Sequence, residues 1–196
     1  MLLLGEKLKT TPVMSLQTGA EIAKLEDPII DPGILDVIAY RLSGPRLENN
    51  ETILLTRDIR EVSDIGIIID SVDELTSIND ILKIQKIMKL NFKLIGIEAI
   101  DDLKHRLGKI YDYTIDPLTF TIHQLYVRRP LLKSLQTSDL IIGRSQIIEV
   151  NNKSIIVKSA TLDDRPAPAT VAGNFINPFR SAQTPPNVSK SKTSSE

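Results

Sequence analysis

Apolar positions in two stretches of this chain fall in the same places at a spacing of 85 residues: Ile22, Leu25, Val37, Tyr40 and Leu42 are answered by Leu107, Ile110, Ile122, Leu125 and Val127. Between them an Asp31-Pro32 pair is answered by Asp116-Pro117. A fixed register held over about twenty residues is the mark of an internal duplication. Each copy predicts a β-hairpin, because two β-branched and aromatic segments flank a proline that presets φ for a tight turn. Gly33 follows Pro32 and is expected at positive φ in a type II turn, whereas Leu118 after Pro117 predicts type I. In the outgoing strand of both copies the apolar positions step by three and then by two (Val37, Tyr40, Leu42; Ile122, Leu125, Val127). A regular strand alternates with period two, so the shared slip predicts a bulge near Ile38 and Ala39 and another near His123 and Gln124. The other reading of the slip has Val37 and Ile122 facing the far side of a sheet buried on both faces.

Around the hairpins the pattern predicts further short strands. Apolar pieces at residues 2–4 and 13–16 are expected to start the first copy. Residues 53–56 read as a strand, 57–61 as one helical turn and 66–70 as a buried strand. Ile81, Ile84 and Met88 share one helical face, which predicts a short helix over 81–89; a strand over 82–87 is the competing reading. Residues 92–100 alternate as a strand that opens the second copy. Residues 145–150 and 154–157 then make a hairpin whose Asn151-Asn152-Lys153 turn is expected to use asparagine at positive φ. The resulting fold class is mainly β. It has two tandem small barrels at 1–76 and 92–160, a helix or strand bridging and packing between them at 77–91, and a disordered tail at 161–196.

The later parts of each copy are an Asp-Ile or Asp-Leu followed by an Ile-rich strand: Asp58-Ile59 with residues 67–69, and Asp139-Leu140 with residues 147–150. Together with Gly108-Lys109-Ile110 and the Asp-centred turn, this pattern resembles the PRC-barrel family over residues 1 to about 160, in two tandem copies. The first copy departs from it in having Ala23 for the glycine. The resemblance implies a small β-barrel without catalytic machinery. It is shared with the cytoplasmic part of the photosynthetic reaction-centre H subunit and the C-terminal part of the bacterial ribosome-maturation factor, whose common property is docking. Asp31, Pro32, Gly33, Asp116 and Pro117 are then structural turn residues.

Composition narrows the chemistry. Aromatics are 4% of the chain with no Trp, so the core must be built from Ile, Leu and Val. Without cysteine there is no disulfide, thiolate nucleophile or cysteine metal site. His105 and His123 stand apart from any ligand at metal spacing, and no orienting partner for a catalytic base is evident. Gly-rich phosphate loops and nucleophile elbows are absent. The sequence thus predicts no enzyme, no cofactor and no metal. Met1-Leu2-Leu3-Leu4 is cut short by Gly5, Glu6 and Lys7 and is not expected to act as a leader, and no apolar run approaches the ~18 residues of a membrane span. A cytoplasmic protein is expected.

Charge is unevenly divided. Residues 1–100 hold eleven basic against sixteen acidic side chains, residues 101–160 nine against six, and residues 161–196 four against three. Arg128, Arg129, Lys133 and Arg144, with Lys104, Arg106 and Lys109 nearby, are the candidate partner-binding residues. Stacking aromatics beside them look sparse, which favours docking of an unidentified protein over RNA or the ribosome. Strand edges offer a further route, to a partner strand or to a second copy. Five of the eleven prolines lie beyond Leu162, where residues 171–180 (VAGNFINPFR) are the one apolar island. The leading expectation is a non-enzymatic adaptor, with an RNA-linked binder as the alternative.

Overall fold

The repeated hydrophobic pattern folds as two sheets with the same strand order. The computed structural model describes residues 1–45, 47, 51–129 and 139–159. The first sheet holds β2 (Pro12–Ser15), β3 (Ala20–Asp31), β4 (Asp36–Ser43), β5 (Thr52–Leu55), β6 (Glu61–Ser63), β7 (Gly66–Ile69) and β8 (Leu75–Ser77), ordered β6-β7-β2-β3-β4-β5-β8. In the second, β9 (Glu98–Asp101), β10 (Arg106–Ile115), β11 (Ile122–Arg128), β12 (Leu140–Gly143), β13 (Ile147–Val150) and β14 (Ser154–Val157) run β13-β14-β9-β10-β11-β12. Each sheet contains one parallel pair, β2 with β7 and β9 with β14, and is otherwise antiparallel. Among the described residues neither path of pairing returns to its first strand, so the sheets are open.

Both predicted bulges are present. On the first hairpin Ile29 pairs with Ala39 and Ile30 with Val37, leaving Ile38 as the extra residue. On the second, Thr114 pairs with Gln124 and Ile115 with Ile122, leaving His123 extra. Thr56 caps the first bulge by donating its hydroxyl to the carbonyls of Val37 (3.1 Å) and Ile38 (3.2 Å).

The predicted difference of turn type is absent. Asp31 Oδ1 accepts the Gly33 N–H (3.0 Å) and Asp116 Oδ1 accepts the Leu118 N–H (2.8 Å), so the same side-chain bond sets both turns. Gly33 is not at positive φ; that conformation falls two residues later, on Leu35 (49°) and its counterpart Phe120 (56°). The Asn151 turn is likewise corrected. Its Oδ1 accepts the N–H groups of Lys153 and Ser154, and no asparagine of that turn has positive φ.

Three further expectations change. β1 (Leu3–Leu4) pairs not with the first copy but with Ile115 and Thr114 of β10 in the second. The strand expected from residue 92 begins only at Glu98, after Gly96 takes a φ of 91° and interrupts the extended chain. Residues 82–89 do form a helix, α2 (Leu82–Lys89), which follows a 3₁₀ turn capped by Ser77. However, α2 packs on the outer face of the first sheet: Ile84 and Ile87 bury against Ile29, Ala39, Ile53 and Leu55, with Ile81 and Met88 at the margin. Burying each such side chain contributes about 1.5–3 kcal/mol.

The inner faces of both sheets share one core, in which Leu25, Leu42, Leu54 and Ile69 join Ile110, Ile115, Ile122 and Val127. The hairpin tips meet reciprocally. Val37 N–H donates to Phe120 O (3.0 Å), Ile122 N–H donates to Leu35 O (3.3 Å), and Asp36 bridges Thr121, its own counterpart in the repeat. Residue i of one copy thus meets residue j of the other, and j meets i, as across a twofold axis. The Tyr40 ring packs edge-on to Phe120, with centroids 6.3 Å apart. Its hydroxyl is buried with no partner among the described residues, and burial pushes its pKa well up.

Candidate docking surface

The outer face of the second sheet gathers side chains that sequence spacing did not bring together. Along β11, Ile122, Leu125 and Val127 turn into the core, so Gln124, Tyr126 and Arg128 turn outward. Tyr126 lies opposite Ile141 of β12, and Gln124 opposite Gly143. A second irregularity, between Ile110 and Asp112 of β10, leaves Tyr111 as the extra residue beside them. The Tyr111 and Tyr126 rings are 6.1 Å apart, and the Arg128 guanidinium lies 4.6 Å from the centre of the Tyr111 ring. The Tyr111 hydroxyl donates to Asp139 Oδ2 (2.7 Å); this bond, more than burial, raises the phenol's pKa.

The first sheet shows what the same place holds when it is covered. Ile53 of β5 is the counterpart of Ile141, since both stand one residue into a four-residue strand that follows the hairpin and leads directly into a 3₁₀ turn. Under α2, Ile53 is 0% exposed, whereas Ile141 is 50% exposed. The outer edge of β5 is also occupied, with Thr52, Ile53 and Leu54 pairing with Ser77, Thr76 and Leu75 of β8. Among the described residues β12 has no strand on its outer edge.

The predicted partner-binding residues separate into different roles. Arg128 is exposed on the outer face and stands opposite Lys109 in the β10–β11 ladder, so two cations face each other there. Arg129 follows, partly buried, and Lys133 lies outside the described residues. Arg144 is not a free surface charge. Its guanidinium donates to the carbonyls of Leu35 (2.9 Å) and Ile122 (3.0 Å), to Ile34 O, and to Asp36 Oδ1 (3.4 Å). It occupies the same point of the repeat as Thr56 and, being longer, reaches across to the tip of the first hairpin. Arg106 is paired with Glu98 (3.4 Å). The expected scarcity of aromatics beside the basic group is overturned by Tyr111 and Tyr126, which lie 17 and two residues from Arg128 in sequence but beside it on the sheet.

Two further places bear on chemistry. His105 does have an orienting partner: its Nδ1 is 2.9 Å from Asp101 Oδ2, and its N–H donates to Asp101 Oδ1 (2.7 Å). Burial of Asp101 opposes its charge, but the bonds from His105 outweigh it and hold the carboxyl below the usual aspartate value. A group lowered in the folded state adds stability that is present above its unfolded pKa (~4) and is lost as pH falls through the folded value. Asp101→Asn is accordingly expected to flatten the acid limb of stability below about pH 4, read as urea midpoints against pH.

A cavity of about 470 Å³ opens between the first helix, α1 (Gly5–Leu8), the bulged part of β3 and the end of α2. Its charges are largely spent on structure. Lys9 pairs with Asp27 (3.4 Å), and Asp112 Oδ1 accepts the N–H groups of Glu6 and Tyr113. Tyr113 is driven up by burial and by the neighbouring carboxylates, so its phenol stays protonated at neutral pH. Among the described residues there is no cluster of three or more metal-ligating side chains, and no helix long and apolar enough to cross a membrane. No protein-family model matches the chain, and no curated protein matches it.

Proposed function

We propose that this is a non-enzymatic, cytoplasmic docking module built from two PRC-type repeats, which holds a protein partner on the outer face and outer edge of its second sheet. The observation that carries the reading is the half-exposed Ile141, flanked by Tyr126 and Tyr111, at the place where the first copy buries Ile53 under α2. An aromatic and aliphatic strip beside an arginine is the composition of an interface centre. The test is affinity capture from the native host's lysate, with ribonuclease present, using the full chain and Ile141→Asp. Specific proteins held by the wild-type chain and lost with Ile141→Asp are expected; a bound set that Ile141→Asp leaves unchanged overturns the reading.

One observation favours a second reading. Arg128 stacked on Tyr111, with Tyr126 alongside, also offers ring faces and cations to single-stranded RNA. That reading requires binding that falls steeply with salt and is lost in Arg128→Ala/Arg129→Ala, and ribosomal components that disappear with ribonuclease.

A further inference from the structure

We infer that the seat on the second sheet takes an acidic strand–helix segment of the partner, adding a short antiparallel strand to β12 and laying an amphipathic helix across β11 and β12. This inference rests on the docking reading and specifies its ligand. The first copy supplies the template. There, one continuous segment, residues 75–89, provides β8 to the edge of β5 and then α2 to the face, with Ile84 and Ile87 seated on Ile29, Ala39, Ile53 and Leu55. The corresponding residues of the second sheet are Thr114, Gln124, Ile141 and Gly143. Three of the four apolar contacts are thus replaced by polar or small residues, and Tyr126 and Tyr111 are added. Thr114 is itself 5% exposed, so the open part of the seat is Gln124, Ile141 and Gly143 on β11 and β12. A face of that composition survives uncovered in water, as a reversible seat must, while keeping Ile141 and two rings as anchors.

Charge sets the sign of the occupant. The helix that covers the first sheet is basic, carrying Lys83, Lys86 and Lys89, with Lys83 paired to Asp31 (3.3 Å). On the second sheet Lys109 and Arg128 stand opposite one another with Arg129 next, and the nearby Asp139 is bound to the Tyr111 hydroxyl. A basic helix is disfavoured there and an acidic one attracted. The chain's own residues 161–196 do not supply that charge, with four basic and three acidic side chains, and the apolar island at 171–180 has Arg180 as its only charge.

The experiment uses two synthetic peptides of residues 75–90: the native sequence, and one with Lys83→Glu, Lys86→Glu and Lys89→Glu. Each is titrated into the isotope-labelled full chain and followed by amide chemical shifts. The acidic peptide is expected to move Ile141, Gly143 and Tyr126 and to bind about tenfold more tightly than the basic one, as two or three rim ion pairs would give. Lys109→Ala/Arg128→Ala should abolish that difference. Equal binding of the two peptides, or shifts away from β12, overturns the inference. If neither peptide binds while the lysate partners are still lost with Ile141→Asp, the ligand assignment fails and the docking reading stands. If Ile141→Asp loses nothing, the docking reading itself fails. Amides of β12 that are protected from exchange in the free full chain, but not in a chain ending at Ser159, would give the seat to the chain's own C-terminal residues and overturn an external partner.

Discussion

Gly108→Ala is expected to destabilise the protein by about 3 kcal/mol or more, in the upper range for a single substitution. Gly108 has a φ of 148°, and a Cβ built on it would lie 2.1 Å from the Arg128 carbonyl oxygen and 2.8 Å from its carbon. Both obstacles are backbone, so no rotamer change relieves the clash; β10 and β11 must part where Lys109 pairs with Arg128. Gly96→Ala is the matched control. It too has positive φ (91°), but its Cβ would meet nothing within 4 Å, and the conformational penalty alone costs about 1 kcal/mol. Urea denaturation of the two variants separates steric conflict from backbone strain. The first copy carries Ala23 at the equivalent position, and Ala23 is not among the residues at positive φ. The glycine is needed only where the strand comes this close to its neighbour.

Arg144→Ala is expected to cost about 2 kcal/mol, from several hydrogen bonds to a charged donor at about 1 kcal/mol or somewhat more each, discounted for partial exposure. The guanidinium gathers carbonyls from both hairpins, Ile34 and Leu35 on one and Ile122 on the other, so its loss loosens the reciprocal contact of the tips. Arg144→Lys should recover little, because an ammonium lacks the planar fork that spans three acceptors. Asp36→Asn should cost well under about 1 kcal/mol, since an ion pair this open to solvent contributes little. Denaturation midpoints rank the three variants; a surface-charge role for Arg144 would instead leave stability unchanged.

Regular spacing made the hairpins and both bulges readable, because a slip from period two in the same place of two copies has few structural causes. The turn type was misread from Gly33 because glycine permits positive φ without requiring it, while the Asp31 side chain decides the turn. The partner of β1 was illegible for a simpler reason: a two-residue apolar piece, Leu3-Leu4, carries no pattern that tells one sheet edge from another. The outer-face strip was harder to read. The inward positions of β10, Ile110, Tyr113 and Ile115, do step by three and then by two around the bulge, but Tyr111 fills the gap with a second ring and hides which tyrosine turns outward beside Tyr126. Asp101 and His105 lie four residues apart across a turn, with Lys104 at positive φ (67°) between them. Spacing of that kind signals a pair in a helix and is ambiguous elsewhere.

The crossing of β1 into the second sheet has a consequence for synthesis. Leu3 and Leu4 leave the ribosome well before their backbone partners, Ile115 and Thr114, which emerge more than a hundred residues later. Contacts this distant along the chain slow folding, because a long loop must close before they form. Residues made early are therefore among the last to be placed. The duplicated halves are not independent beads on a string: a fragment holding only the second repeat would lack a strand of its own sheet, and one holding only the first would carry an apolar end with nowhere to dock.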